Sequence, residues 1–136
     1  MKKAYFAISY SNRNQFDIEV DSLKKLFTKY NIELLVFVDI YNFKPTEENE
    51  MMQTAFDEID NSDILIADLT TKSIGVGIEI GYAVAKIIPV FYLRKTAAEY
   101  STTAAGCSEF SVEYNNDIDL IKQVEKLLNG LSHKRP

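Results

Sequence analysis

The stretch Ser73-Ile-Gly-Val-Gly-Ile-Glu-Ile-Gly-Tyr-Ala-Val-Ala85 decides how this chain is read. Ahead of it lies an apolar run, Asp63-Ile-Leu-Ile-Ala-Asp68, closed by the polar turn Thr70-Thr71-Lys72. A short β-branched run, a turn and then apolar residues at helical spacing read as strand, loop and helix. Gly75 and Gly77 carry no Cβ, so a ligand can approach the backbone there, and Gly81 would let the helix lie close against a sheet. The helix start offers unpaired N–H groups and a positive dipole end, which favour anions. Glu79 falls in its first turns, between Ile78 and Ile80, beyond the carboxyl end of a strand, where open α/β sheets place their sites. The plainer alternative is that Glu79 only complements the helix dipole.

Working outward, Ala4-Tyr-Phe-Ala-Ile-Ser9 is β-prone and apolar enough for a central strand buried on both faces. A donor-rich turn, Tyr10 to Asn14, leads to apolar residues at helical spacing from Phe16 through Ile18, Val20, Leu23, Leu26 and Phe27. Asn31 ends that helix, since asparagine tolerates the left-handed cap conformation. Leu34 to Val38 is the second strand, and Asp39 to Lys44 a loop carrying Tyr41 and Phe43. Thr46 suits the N-cap of the next helix, whose positive end is loaded by Glu47, Glu48 and Glu50. Such a cluster reads as helix-start charge rather than as a metal site. Met52, Ala55, Phe56 and Ile59 give that helix its apolar face, and Asn61-Ser62 leads into the strand Asp63 to Asp68.

Beyond the central helix, Ile87 to Leu93 is a fourth strand, Arg94 to Cys107 a polar small-residue stretch, and Phe110 to Tyr114 a short alternating strand. Ile118, Ile121, Val124, Leu127 and Leu128 mark the last helix, closed by Gly130. Five strands interleaved with helices predict a doubly wound parallel sheet of flavodoxin-like, Rossmann-like α/β type in the order 2-1-3-4-5. The chain reads as one domain over residues 1–130 with a flexible tail over 131–136.

Composition narrows the function classes. The 136 residues are 46% apolar and 26% charged, the balance of an ordinary globular domain. A formal charge of −5 argues against nucleic-acid polymers and anionic membranes as partners, because both need basic surface. The single cysteine, Cys107, cannot form an internal disulfide, and no run approaches spanning length or forms a signal peptide, so a cytoplasmic protein is expected. The only histidine, His133, sits in the tail. Histidine-based triads and metal sites are thereby set aside, and no cofactor is called for. Chemistry falls to carboxylates, hydroxyls, tyrosines and backbone donors.

Gly75-x-Gly77-x-x-x-Gly81 is one residue too long for the dinucleotide fingerprint and follows the third strand instead of the first. The longer string Ser73 to Ala83, behind a strand opened by Ser62-Asp63, resembles the nucleoside 2-deoxyribosyltransferase superfamily. That superfamily includes the 2′-deoxynucleoside 5′-phosphate N-hydrolases, and the resemblance runs from about Lys3 to Tyr114. It implies Glu79 as the catalytic glutamate and Tyr5 as an active-site tyrosine. Ser73 and Ser101 match the hydrolases' phosphate-contacting serines, the second in a Ser-x-x-x-x-Gly loop reading Ser101 to Gly106. In that branch the second loop comes from the neighbouring subunit, so the resemblance implies a homodimer with a shared site. The plainer readings are a turn hydroxyl for Ser73 and a helix cap for Ser101.

Two departures qualify the resemblance. The hydrolases have a first loop with glycine and arginine, where this chain has Ser9-Tyr-Ser-Asn-Arg-Asn14, leaving phosphate to Ser9, Ser11, Asn12 and Arg13. The family also places an aspartate near the sugar and leaving base where this chain has Ala55. Asp57 and Asp68 are nearby substitutes in sequence. With Glu79 ionised at the helix start, the expected activity is hydrolysis of the base–sugar bond of a nucleoside 5′-monophosphate, a small-molecule substrate. Tyr5 and Tyr10 orient the glutamate or stack on the base. The alternatives are deoxyribosyl transfer between free nucleosides, or a catalytically weak nucleotide-binding module.

Overall fold

The computed structural model describes residues 1–134; the side chains of Ser132 to Lys134, with the histidine, and the residues Arg135 and Pro136 lie outside the description. Five parallel strands form one sheet in the order β2-β1-β3-β4-β5. They are β1 (Lys3–Ile8), β2 (Glu33–Val36), β3 (Ile64–Asp68), β4 (Val90–Lys95) and β5 (Phe110–Tyr114). The predicted sheet and its order are therefore the observed ones. Connecting them are helices α1 (Asp17–Lys29), α2 (Phe37–Ile40), α3 (Glu48–Asp60), α4 (Ile74–Ala85), α5 (Thr102–Gly106) and α6 (Asp117–Lys134). No helix among the described residues is long and apolar enough to cross a membrane.

The two faces of the sheet follow from strand alternation. Ala4, Phe6, Ile8, Ile64, Ile66, Phe91 and Leu93 join residues of α1 and α6 in one core. Tyr5, Ala7, Leu65, Ala67 and Tyr92 join α3, α4 and α5 in the other. The strand order reverses at β1, whose two neighbours are β2 and β3; β1 and β3 are in register from Ala4↔Ile64 to Ile8↔Asp68. A doubly wound sheet opens a crevice beyond the carboxyl ends of its strands at such a reversal.

Several boundaries differ from the sequence reading. The turn after β1 winds into a 3-10 helix over Tyr10–Phe16. The second strand stops at Val36, and Phe37–Ile40 turns into α2 instead of continuing extended. Thr46 does not cap α3: the cap position is Glu47, and its carboxylate accepts the Lys44 N–H at 2.7 Å. The fourth strand starts at Val90, one residue after Pro89, whose carbonyl still accepts the Leu65 N–H at 2.9 Å. The last helix runs through Gly130 to Lys134. Gly81, expected against the sheet, is exposed, and a Cβ there would meet nothing within 4 Å.

Two helices end in the same hydrogen-bonded motif with different residues at its left-handed position. After α1, Asn31 has φ 58° while its N–H reaches Thr28 and the Ile32 N–H reaches Phe27. After α4, Ile87 has φ 60°, with its N–H on Val84 and the Ile88 N–H on Ala83. Asparagine suits that conformation, whereas a β-branched side chain crowds its own backbone there at a cost of about 1–2 kcal/mol. Ile87 is 91% exposed, so no packing within the chain offsets the strain. Ile87→Gly should therefore raise the melting temperature by a few degrees. A thermal melt showing no gain or a loss would contradict this account of the turn.

Candidate active site

Glu79 is the sixth residue of α4, in its second turn, and its carboxylate reaches Tyr5 of β1. Ser73 caps the helix, its Oγ accepting the Val76 N–H at 3.3 Å, and this sets the rotation that carries Glu79 inward. Tyr5 rises from the middle of β1 with no solvent exposure. Its hydroxyl donates to the Glu79 carboxylate. Burial raises the Glu79 carboxyl to about 7, with the hydrogen bond from Tyr5 opposing the shift. The Tyr5 phenol is pushed upward too, by its burial and then by the charge of Glu79. Burial thus works against the ionisation of Glu79 expected from the helix start. Its position in the second turn lies past the reach of the helix dipole, which fades within the first, so desolvation prevails.

Glu79, with Tyr5 behind it, opens onto a cavity of about 330 Å³. Met51, Met52 and Ala55 of α3 line one side, Ser73, Gly75 and Val76 of α4 another, and Tyr10 stands at the mouth, 75% exposed. The remaining wall is aromatic. Phe37 lies 4.9 Å from Tyr41 and 6.2 Å from Phe43 between ring centroids, and Tyr41 and Phe43 are 5.9 Å apart at 22°. The Tyr41 hydroxyl donates to Glu58 at 2.6 Å, and Lys3 Nζ donates to the other oxygen of Glu58 at 2.7 Å. Those two donors, Lys3 first, hold the Glu58 carboxyl below its ordinary range. Glu58 therefore fixes the aromatic wall to β1 without lining the cavity itself.

The sequence-predicted residues divide into four groups. Tyr5, Ser73, Gly75 and Glu79 come together here, with Gly75 inside α4 and not in a loop. Ser11 and Arg13 line a separate surface cavity with Tyr10, Asn14, Asp17 and Asp39. Arg13 does not offer its guanidinium to the main cavity: Nε and Nη2 donate to both oxygens of Asp39, and Nη1 to Asp17, each at 2.8 Å. Ser9 is buried with its Oγ 3.0 Å from that of Ser11, and the Asn12 N–H is spent on the Ser9 carbonyl at 3.3 Å.

Gly77 and Ser101 belong to a second cavity of about 560 Å³, which shares Ser73 with the first. The Ser101 Oγ accepts the Ala104 N–H at 3.1 Å and caps α5, while Gly106 ends that helix, exposed and outside both cavities. Asp68 is on the wrong face. It belongs to the strand positions that point toward α1 and α6, and there it accepts from the Tyr114 hydroxyl at 2.6 Å and the Thr70 N–H at 2.8 Å. Burial pushes its carboxyl up and those hydrogen bonds oppose the shift. Asp57 is exposed, bound by the Gln53 amide at 3.0 Å. Neither aspartate lines the main cavity. Sequence reasoning passed over Phe37, Met51 and Glu58. The spacing Phe37-x-x-x-Tyr41-x-Phe43 after a strand, and a glutamate one helical turn past Ala55, were the available signals.

Among curated proteins no sequence matches this chain. Solved structures do match in fold. A CMP N-glycosidase from Clostridium botulinum, BcmB, superposes with a TM-score of 0.68 at 20% identity, covering 92% of this chain and 99% of the other. A conserved protein from Enterococcus faecalis V583 gives 0.72 at 21% identity, over 93% of this chain and 99% of its own. A 2-deoxyribosyltransferase from Bacillus psychrosaccharolyticus gives 0.67 at 12% identity, with 88% and 90% covered. The model of the nucleoside 2-deoxyribosyltransferase family matches residues 4–128, and the chain belongs to that family.

Proposed function

We propose that the protein cleaves the N-glycosidic bond of a nucleoside 5′-monophosphate, with Glu79 as the nucleophile and water as acceptor. The observation that carries this reading is that Glu79 is the one carboxylate among the described residues lining the main cavity, and that Tyr5 holds it. Breaking the bond between base and sugar builds positive charge at the anomeric carbon, which a carboxylate can capture as a glycosyl ester. Water then releases the sugar and restores the acid. Tyr5, donating to one oxygen, leaves the other free to attack. The aromatic wall supplies a stacking surface for the base. The cap of α4, beside Ser73 and Gly75, supplies N–H groups and a positive dipole end for phosphate.

The phosphate contact is completed in this reading by Ser101 of a second copy. That contact is what the family resemblance implies; within one chain Ser101 lines the second cavity, which adjoins the first through Ser73. The outer face of α4 is also apolar, with Ile74 85%, Ile78 47% and Val84 43% exposed around Gly77 and Gly81. Contiguous exposed apolar surface of this kind marks association. One observation favours a second reading, deoxyribosyl transfer between free nucleosides: no lysine or arginine is among the described residues lining the main cavity, and Arg13 is held by two aspartates.

Glu79→Gln should fold and lose at least about two orders of magnitude in base release. Near-native turnover would end the glycosidase reading. Because only the ionised carboxylate attacks, kcat/KM should rise with pH and level off above about 7. Stability runs the other way. Between the ordinary carboxyl value of 4.5 and about 7 the folded protein holds a proton that the unfolded chain has lost, so stability falls as pH rises through that window. Glu79→Gln, which cannot ionise, should therefore melt above the native protein at pH 8 and close to it at pH 4. The opposite ordering would contradict the burial argument.

Ser101→Ala should weaken binding of a nucleoside monophosphate while sparing the free nucleoside, since only the former offers phosphate oxygens. Equal losses would favour the transferase reading. Sedimentation should show a dimer, and a fully active monomer would refute the shared site.

A further inference from the structure

Among the described residues the main cavity holds no carboxyl besides Glu79, and this bears on which substrates the site can use. From α3 it receives Met51, Met52 and Ala55, two thioethers and a methyl group. Glu58, one turn further along, is turned away, with its two oxygens taken by Lys3 and Tyr41. Two of the hydroxyls near the cavity are committed, Tyr5 donating to Glu79 and Tyr41 to Glu58, while Ser73 at the helix cap is an aliphatic alcohol and no strong acid. Tyr10 is a phenol at the open mouth. Glu79 itself cannot protonate the base in the step in which it attacks the sugar.

An ordinary nucleoside suffers from that arrangement. Its base takes the electron pair of the C1′–N bond and departs as an anion unless a proton is delivered, and general-acid delivery contributes about 10²–10⁴-fold. An N7-alkylated purine has no such need, because its ring already carries the positive charge. When its C1′–N9 bond breaks, the electron pair neutralises the ring and a neutral base leaves. The Glu79 carboxylate forms the new bond to C1′. Water then displaces the carboxylate, giving the free sugar and a proton that passes to solvent.

The walls suit a cation too. Phe37, Tyr41 and Phe43 line the cavity with their ring centroids 4.9 to 6.2 Å apart, and cations are attracted to aromatic rings. Methionine sulfur is polarisable and packs well on aromatic rings. The described lining contains no cationic side chain that would repel the base. We propose that this site is built for bases that depart without protonation, and that its substrates are N7-alkylated purine nucleosides with or without a 5′-phosphate. This rests on Glu79 as the nucleophile.

The test compares base release from 7-methylguanosine and its 5′-monophosphate with release from guanosine and its 5′-monophosphate, after subtraction of the spontaneous rates. The methylated compounds should show kcat/KM at least about 100-fold higher, the scale of the missing acid catalysis. Placing an acid in the cavity with Ala55→Asp should shrink the ratio of methylated to unmethylated kcat/KM by about tenfold or more. The first comparison stands alone should Ala55→Asp fail to fold. Equal kcat/KM for methylated and parent compounds, with both lost in Glu79→Gln, overturns this inference and leaves cleavage through Glu79 intact. No base release from any of the four, or from a pyrimidine monophosphate, overturns both.

Discussion

The hydrogen bond between Tyr5 and Glu79 is the constraint on which the architecture depends. A phenol with no solvent exposure in the middle of a central strand must find an acceptor inside the protein. The carboxylate that meets it comes from α4, so the bond fixes the helix against β1 as well as satisfying the tyrosine. The same burial that makes the bond necessary raises the carboxyl to about 7. Stability is best served by the neutral form, whereas attack on an anomeric carbon needs the ionised one, and near neutrality the two are balanced. Under the proposed mechanism, function and folding thus make opposite demands on one side chain.

A second tyrosine–carboxylate pair on the other face of the sheet shows what decides the role. Tyr114 donates to Asp68 at 2.6 Å, and the Thr70 N–H donates to the other oxygen. That carboxylate is 3% exposed, meets α1 and α6 instead of a cavity, and ties β5 to the turn that leads into α4. The chemistry of the two pairs is alike. Access to a cavity is what separates a reactive group from a tie.

Much of this was legible in the sequence. The continuous apolar runs Ala4 to Ile8 and Ile64 to Ala67 pointed to strands buried on both faces of a parallel sheet, and the string Ser73 to Ala83 pointed to Glu79. The sequence could not show which face Asp68 would take, because its two-residue period is set only once the strand has a register with β1. Nor could it show that Asp39, brought up by the turn Phe37–Ile40, would clamp Arg13. The β propensity of Phe37 and Val38 predicts strand for the first half of that turn, and tertiary packing of Phe37 against Tyr5 and Tyr41 overrides it. Donors read as free for phosphate were therefore already engaged. Glu58 escaped notice for the same reason: its importance lies in Tyr41 and Lys3, neither of which is near it in sequence.

The claim that Glu79 attacks the sugar is tested most directly by trapping the ester. A nucleoside 5′-monophosphate with fluorine on the sugar carbon next to the anomeric centre carries an electron-withdrawing group that slows release of a glycosyl ester more than it prevents its formation once the base has left. Intact-mass measurement after incubation should show one added fluorosugar phosphate per chain, and peptide mapping should place it on Glu79. Base release at full rate without any adduct, or an adduct on another residue, would contradict the assignment.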